Sequence, residues 1–355
     1  MKKIKENLAK LFRASIFGNS PLYHAWRFER KKSRCDKVIK TFLGEDVSPE
    51  RKNEIKRNMR RAMVKFHWDP DEYFLFGYEN LTDVQRMGFF SEYDKNSFCD
   101  KVNNPESAAI FKDKWATYKK FRSFYHRDAV FVSNVADVDS LEIISFLEKH
   151  HSFIMKPNNG ALGNGIEIIH GENLDDAKNK LKDVLEKQLH PRSYILEELI
   201  KQVDEMAKWH PQSVNTIRIR TFILKDRIHI CHPLLRTGCG DSFVDNTGSG
   251  GVFVVLDQLT GKPICACDEY GNEYSSHPDS GLKFAETVIP RWNEAVDIAK
   301  QLAMVLPDVK YVGWDLALTE NGWVMIEGND KAQLGFQYAT HIGFRKEIED
   351  LMKQM

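Results

Sequence analysis

The stretch YVGWDLALTENGWVMIEGN, residues 311–329, most narrows the folds open to this chain. Two short β-rich runs, 311–318 and 323–329, stand too close together for a crossover helix, so they pair antiparallel. The runs at 215–224 and 227–236 are equally close. Further runs at 130–132, 152–156, 165–170, 193–197 and 251–256 alternate with helix-like stretches at 113–122, 137–150, 174–188 and 285–305. This alternation predicts an α+β body from about residue 111 onward.

The register of the last pair follows from its apolar stripes. Trp314, Leu316 and Leu318 form the stripe of the first strand, and Val324 and Ile326 that of the second. Both stripes share a face only if opposed residues have numbers summing to an even value. A two-residue Asn321-Gly322 turn would pair 320 with 323 and misalign them. A three-residue loop, Glu320-Asn321-Gly322, pairs 319 with 323 and puts Gly322 in the left-handed position of a bulge. Asp315 then faces Glu327, with Asn329 on the same side. Facing carboxylates repel unless a cation or a proton lies between them. Hard oxygen ligands of this kind suit Mg²⁺ or Mn²⁺ rather than zinc. The competing reading is an acidic face bridged by Arg218 and Arg220.

Three other segments carry candidate chemistry. In SFIMKPNNGALGNGIEII a strand ends at Lys156, and Gly160, Gly163 and Gly165 follow before a second strand. Glycines let backbone N–H groups approach a polyphosphate, and a lysine at the strand end offsets its charge. A strand follows the glycines, so neither a Walker loop nor a dinucleotide fingerprint is present. In VNTIRIRTFIL, Thr216, Arg218 and Arg220 share one strand face. Side-by-side arginines favour an anion between them, and phosphate matches guanidinium geometry; Arg236 at the end of the next run could join. In SYILEELI a buried-looking strand ends in Glu197-Glu198 and then Leu199-Ile200, a weak signal on its own.

The chain has as many Lys/Arg as Asp/Glu, 51 of each, but they are unevenly spread. Residues 1–65 hold 19 Lys/Arg against 7 Asp/Glu. This head reads as two helices from Leu22 to about Phe66, broken near Gly44; Ser48-Pro49-Glu50 opens the second. Residues 67–105 read as short helices and loops. A basic head suits an anionic membrane surface or an acidic partner, although solvated helix faces explain it more simply. No nucleic-acid recognition motif accompanies it. No apolar run approaches a spanning helix, no signal-peptide pattern follows the basic start, and the six cysteines include no CxxC pair. These features point to a cytoplasmic setting, with peripheral contact at the inner membrane face as an option.

The order of the pieces is more specific than any one of them. MKPNNGALGNGI, ILEELI, SVNTIRIRT, VDNTGSGG and GWDLALTENGWVMIEGN together resemble the ATP-grasp superfamily, in the branch found beside sugar transferases in polysaccharide biosynthesis. The resemblance covers about residues 110–340. It implies two α+β subdomains gripping a nucleotide, 111–200 as the lid and 201–355 as the catalytic part with the metal site, preceded by a helical region 1–110. It also implies roles for single residues. Lys156 would bind phosphates under the Gly160–Gly165 loop, with Lys114, or its rival Lys112, as a second nucleotide lysine. Glu197, Glu198, Leu199 and Ile200 would hold adenine, with Glu205 as a ribose ligand. Asp315, Glu327 and Asn329 would hold Mg²⁺, and Arg218, Arg220 and Arg236 would meet the transferred phosphoryl group. Asn215 belongs to the same motif without an evident role.

The activity implied is ATP-dependent joining of a carboxylate to an amine through an acyl phosphate. The partners would be an amino acid, amino sugar or glycan precursor, with glycosyltransferases as possible neighbours of the head. The alternatives are a phosphotransferase on the same fold and a membrane-docked nucleotide-binding scaffold. No general base is evident; His232 and the pair Asp245-Asn246 lie near the arginines in sequence.

Overall fold

The computed structural model describes residues 20–160, 165–187, 192–243, 245, 248, 250–334 and 336–355. The head contains a helix over Pro21–Leu43 and another over Pro49–Phe66. Ser20 and Ser48 cap them, each accepting a backbone N–H, and each is followed by a proline at the first helical position. Gly44, at φ 81°, ends the first helix in a conformation that residues with a Cβ rarely adopt. The two helices and the turns after them close over their own core, which includes Cys35, Ile55, Met63, Trp68 and Tyr73.

The rest of the chain builds two antiparallel sheets. The smaller contains β1 (Ala129–Val132), β2 (Ser152–Pro157), β3 (Glu167–His170) and β4 (Tyr194–Glu198), in the order β1-β4-β2-β3. Helices Leu141–Lys149 and Leu174–Glu186 bury Phe146, Leu147, Leu181 and Leu185 in the same core as its strands. The larger contains β5 (Thr216–Ile223), β6 (Ile228–Thr237), β7 (Val252–Leu256), β8 (Pro263–Cys267), β9 (Tyr311–Thr319) and β10 (Gly322–Asn329). Its order is β10-β9-β5-β6-β7-β8. One of its cores joins helices Lys114–Tyr125 and Trp292–Val305; the other joins helices Glu92–Val102 and Arg345–Met352.

Departures from the sequence-based expectation have physical causes. β8 carries only a weak signal, because it is short and opens on Pro263. The helix expected from 285 starts at Trp292, since Pro290 disfavours helical geometry in the residue before it. The helix Glu92–Val102 packs its Phe98, Cys99 and Val102 with Phe222 and Tyr311 of the larger sheet. Packing therefore separates head from body near Phe89 and Phe90, not at 105–111, where the sequence texture changes. The helix Lys114–Tyr125 likewise packs Phe121 against Trp314 rather than joining the smaller sheet's core.

The last departure concerns the last hairpin. Its turn holds two residues, Glu320 and Asn321, so Thr319 faces Gly322 and the register starts odd. Trp323 faces Leu318 and Met325 faces Leu316, and all four join Trp314 in one core. The stripe of β10 in this core therefore runs through Trp323 and Met325, not Val324 and Ile326, although Val324 is buried as well. A bulge at Ile326 then shifts the register by one and sets Glu327 opposite Asp315. The expected opposition of the two carboxylates is present, but a bulge inside the strand produces it rather than one at the turn.

Candidate active site

A cleft of about 750 Å³ runs between the two sheets. Lys156 lines one side, and Glu197, Glu198, Leu199 and Ile200 line the same side as the chain leaves β4. Lys114 also reaches this side, at the first turn of its helix. Arg218, Arg220 and Arg236 line the other side, with Asp315, Glu327 and Asn329 beside them.

Sheet geometry fixes the second group. Arg218 faces Asp315 across β5 and β9, and Asp315 faces Glu327 across β9 and β10. Arg218 holds both carboxylate oxygens of Asp315, at 2.6 Å and 2.7 Å. Arg236 donates to Asp315 Oδ2 at 3.0 Å and lies 3.2 Å from Asp245 Oδ1. Thr216 donates its hydroxyl to Asp245 as well. Burial alone would raise the Asp315 pKa, but the Arg218 and Arg236 guanidinium groups outweigh it and hold the carboxyl below its usual range. Burial dominates at Asp245 and raises it, against the pull of Arg236 and Thr216. Arg220 is fully buried and donates to the carbonyls of Gln333 and His232 at 2.8 Å and 2.5 Å. Its role visible here is to fix the loop after β10 to β6.

Glu327 differs from Asp315. Among the described residues its side chain makes no hydrogen bond or ion pair. Burial raises its pKa; Lys114 opposes this, and the negative charge of Asp315 adds to it. The amide Nδ2 of Asn329 is also buried without a partner. Gly328 between them has no alternative, because a Cβ there would come within 2.6 Å of Phe111 and 2.9 Å of Trp314. Glu327 and Asn329 are thus held in the cleft with spare oxygen ligands, next to a second carboxylate. The donor set fits a divalent cation such as Mg²⁺. In the structure, however, Arg218 and Arg236 meet part of that demand at Asp315, whereas Arg220, named with Arg218 in the competing reading, bonds carbonyls.

On the opposite side, Lys156 Nζ donates to Glu197 Oε2 at 3.0 Å. Arg127 Nε donates to the same oxygen at 2.7 Å. Burial raises the Glu197 pKa, but the two cations overcome it and bring it down to about 2. Burial also lowers the Lys156 pKa, and Glu197 only partly offsets this. The Glu197 side chain therefore grips Lys156 instead of offering itself to a ribose or a base. The backbone past Glu198 is what remains on this wall for an adenine edge. Lys114 donates to the carbonyl of Gly160 at 2.9 Å, and its helix start is tied to Asn158 through two backbone amides.

Some expected residues lie elsewhere. Asn215 is fully buried outside the cleft, and its amide donates to the carbonyls of Met206 and His210, both at 2.9 Å. It pins the 202–213 loop beneath β5. Glu205 is exposed on the short helix Asp204–Ala207 and does not line the cleft. Lys112 is exposed and does not line the cleft, which leaves Lys114 as the better placed of the two. His232 bonds Glu347 at 2.8 Å and stacks on Phe344. Gly163 and Asn246 lie outside the described residues. Gly165, at φ 75°, sits over Pro157 beside the glycine loop. Arg127 and Asn158 are functional candidates that the sequence reading passed over. Asn158 lies inside MKPNNG and could have been read from it; Arg127 has no motif around it.

Residues 93–353 match the family described as sugar-transfer associated ATP-grasp. No curated protein matches the chain. Among solved structures, it is similar to a D-alanine-D-alanine ligase from Helicobacter pylori, at 15% identity and TM-score 0.45, over 72% of this chain and 64% of that one. An L-amino acid ligase from Bacillus licheniformis gives 12% identity and TM-score 0.44, over 75% and 54%. An N5-carboxyaminoimidazole synthetase from Staphylococcus aureus, complexed with ADP, gives 10% identity and TM-score 0.42, over 75% and 58%. The chain spans less than two thirds of the length of each.

Proposed function

Because the chain belongs to the sugar-transfer associated ATP-grasp family, we propose that it is an ATP-dependent carboxylate–amine ligase that works through an acyl phosphate. Its product would be a sugar or polysaccharide precursor bearing an amino acid or another carboxylate. One observation carries this reading. A single cleft sets Lys156 and Lys114 on one side, and three arginines with Asp315, Glu327 and Asn329 on the other.

Such a site suits phosphoryl transfer, which depends mostly on positioning and on offsetting charge. Lys156 and Lys114 would hold the nucleotide phosphates, and the backbone at Leu199 and Ile200 its base. Asp315, Glu327 and Asn329 would hold Mg²⁺, or Mn²⁺, which when bound offsets the charge of the phosphates. Arg218 and Arg236 already share Asp315, so phosphate oxygens would compete with that carboxylate for their donors. The carboxylate substrate takes the γ-phosphoryl group and ADP leaves. The amine then attacks the acyl carbon, loses a proton and expels phosphate. Walls on both sides of the cleft limit water around the acyl phosphate.

The test is ADP release from Mg²⁺-ATP with pooled carboxylates and hydroxylamine as acceptor. Carboxylate-dependent ADP with a hydroxamate product is expected. ADP with a phosphorylated, stable product instead would make the protein a phosphotransferase.

We also propose that the head meets an anionic membrane surface peripherally. The Pro21–Leu43 helix exposes Leu22 (84%) and Trp26 (52%) one turn apart, with Arg30 over the Trp26 ring. Among the described residues no helix is long and apolar enough to cross a membrane. Co-sedimentation with phosphatidylserine vesicles is expected at low salt and should fall steeply at high salt. Binding indifferent to salt would refute the electrostatic docking.

A further inference from the structure

The chain passes between the two sheets at 126–128 and again at 199–201. At the first passage His126, at φ 45°, ends the Lys114–Tyr125 helix, and Arg127 follows. Its Nε donates to Glu197 Oε2 at 2.7 Å, and the guanidinium comes within 2.6 Å of the same oxygen. Its Nη1 donates to the carbonyl of Met325 at 2.7 Å and to that of Tyr125 at 3.2 Å. The Arg127 side chain is 4% exposed and that of Glu197 3%. The guanidinium also lies over the Tyr125 ring, 4.4 Å from its centre.

The two far ends of this contact set matter. Glu197 is the carboxylate that grips Lys156. Met325 immediately precedes Ile326, the bulge that brings Glu327 opposite Asp315. One guanidinium therefore fixes the lysine of one wall and the bulge of the other. Its planar fork does this with directed, charge-assisted bonds in a dry interior, where such bonds are strong. A lysine could not span both partners in that geometry.

We infer that Arg127 is a positioning residue that couples Lys156 on the smaller sheet to Glu327 on the larger, so that nucleotide and divalent cation bind cooperatively across the cleft. This rests on the nucleotide reading above. Lys156 is held at its place by a carboxylate whose second cation is Arg127. Any shift of Arg127 moves both that carboxylate and the start of the bulge, so the two walls adopt their binding geometry together.

The experiment measures binding of a non-hydrolysable ATP analogue by calorimetry, with and without MgCl₂, in the unsubstituted protein and in Arg127→Met. Methionine fills a similar length without the fork. The expected result is that Mg²⁺ tightens nucleotide binding in the unsubstituted protein, and that this gain falls by about tenfold in the variant, within the usual range of coupling between sites. Affinity without Mg²⁺ should fall by a smaller factor, because Lys156 keeps Glu197 as its partner. A variant that keeps the full Mg²⁺ gain overturns the inference. Equal weakening with and without Mg²⁺ also overturns it, since a merely structural role would act that way. Should Arg127→Met fail to fold, Arg127→Lys carries the same comparison. If the unsubstituted protein binds no nucleotide at all, the proposed function itself fails, a result distinct from either.

Discussion

Single charged residues hold this cleft together, and their removal gives the sharpest tests. Under the proposed function, replacing Lys156 by Met should lower ADP release by about 100-fold or more, the loss typical when one preorganised donor is removed. The fold should survive, because Glu197 keeps Arg127 as a partner; circular dichroism and a melting curve check this. Glu327→Gln should reduce activity to a similar degree, with a higher Mg²⁺ requirement measured by metal titration. Glu327 has no protein partner among the described residues, so this variant should cost little stability. Asn215→Ala should do the opposite. It removes donors to two buried carbonyls and so destabilises by about 1–3 kcal/mol, with activity falling only as the fold does.

Strands and helices set where these residues stand. Gly328→Ala should destabilise by about 1–3 kcal/mol, because an added methyl would come within 2.6 Å of Phe111. The strain falls between Glu327 and Asn329, so Mg²⁺ affinity should drop along with the melting temperature. On β6 of the same sheet, His232 holds Glu347 of the Arg345–Met352 helix, which also lies 3.8 Å from His229. Burial raises the Glu347 pKa, but the two histidines overcome it and bring it down to about 2. A carboxylate lowered in this way stabilises the fold above its unfolded value, about 4.3, and loses that contribution as pH falls toward 2. Hydrogen exchange in residues 345–352 should therefore rise across that window, and Glu347→Gln should flatten the response. Most strands were legible from sequence, because short apolar alternation bounded by turns is a local signal. The stripe of β10 was not: Trp323 and Met325 take the core face, and only packing decides between them and Val324 with Ile326.

At the scale of the molecule, the head and the body have separate cores, with Tyr338 packed against both and a polar cluster at the seam. His67 donates to Asp94 at 2.7 Å, Arg345 reaches the same carboxylate at 2.6 Å, and His24 stacks on His67. Asp94 thus links the end of the second head helix, the first helix of the matched region and the last helix of the chain. Burial raises its pKa, but His67 and Arg345 bring it down to about 2. Asp94→Ala leaves His67 and Arg345 without their shared anion and should cost about 2–4 kcal/mol. Unfolding followed by tryptophan fluorescence and by circular dichroism should then cease to coincide, as the head core around Trp68 separates from the sheet core around Trp314.

The sequence by itself determined the antiparallel strands of the body, the two capped helices of the head and the residue types that meet across the cleft. These are local matters, since period and caps are written within a few residues of each other and residue types are read directly. The tertiary structure alone decided that Glu197 holds Lys156, that Asp315 is shared by Arg218 and Arg236, and that Arg127 joins the two walls. It also decided that Asn215 supports a loop and stays out of the cleft. Each of these depends on which of several nearby partners a buried charge or amide reaches. That choice is made by desolvation and by distance between segments far apart in the chain, and no pattern along the sequence records it.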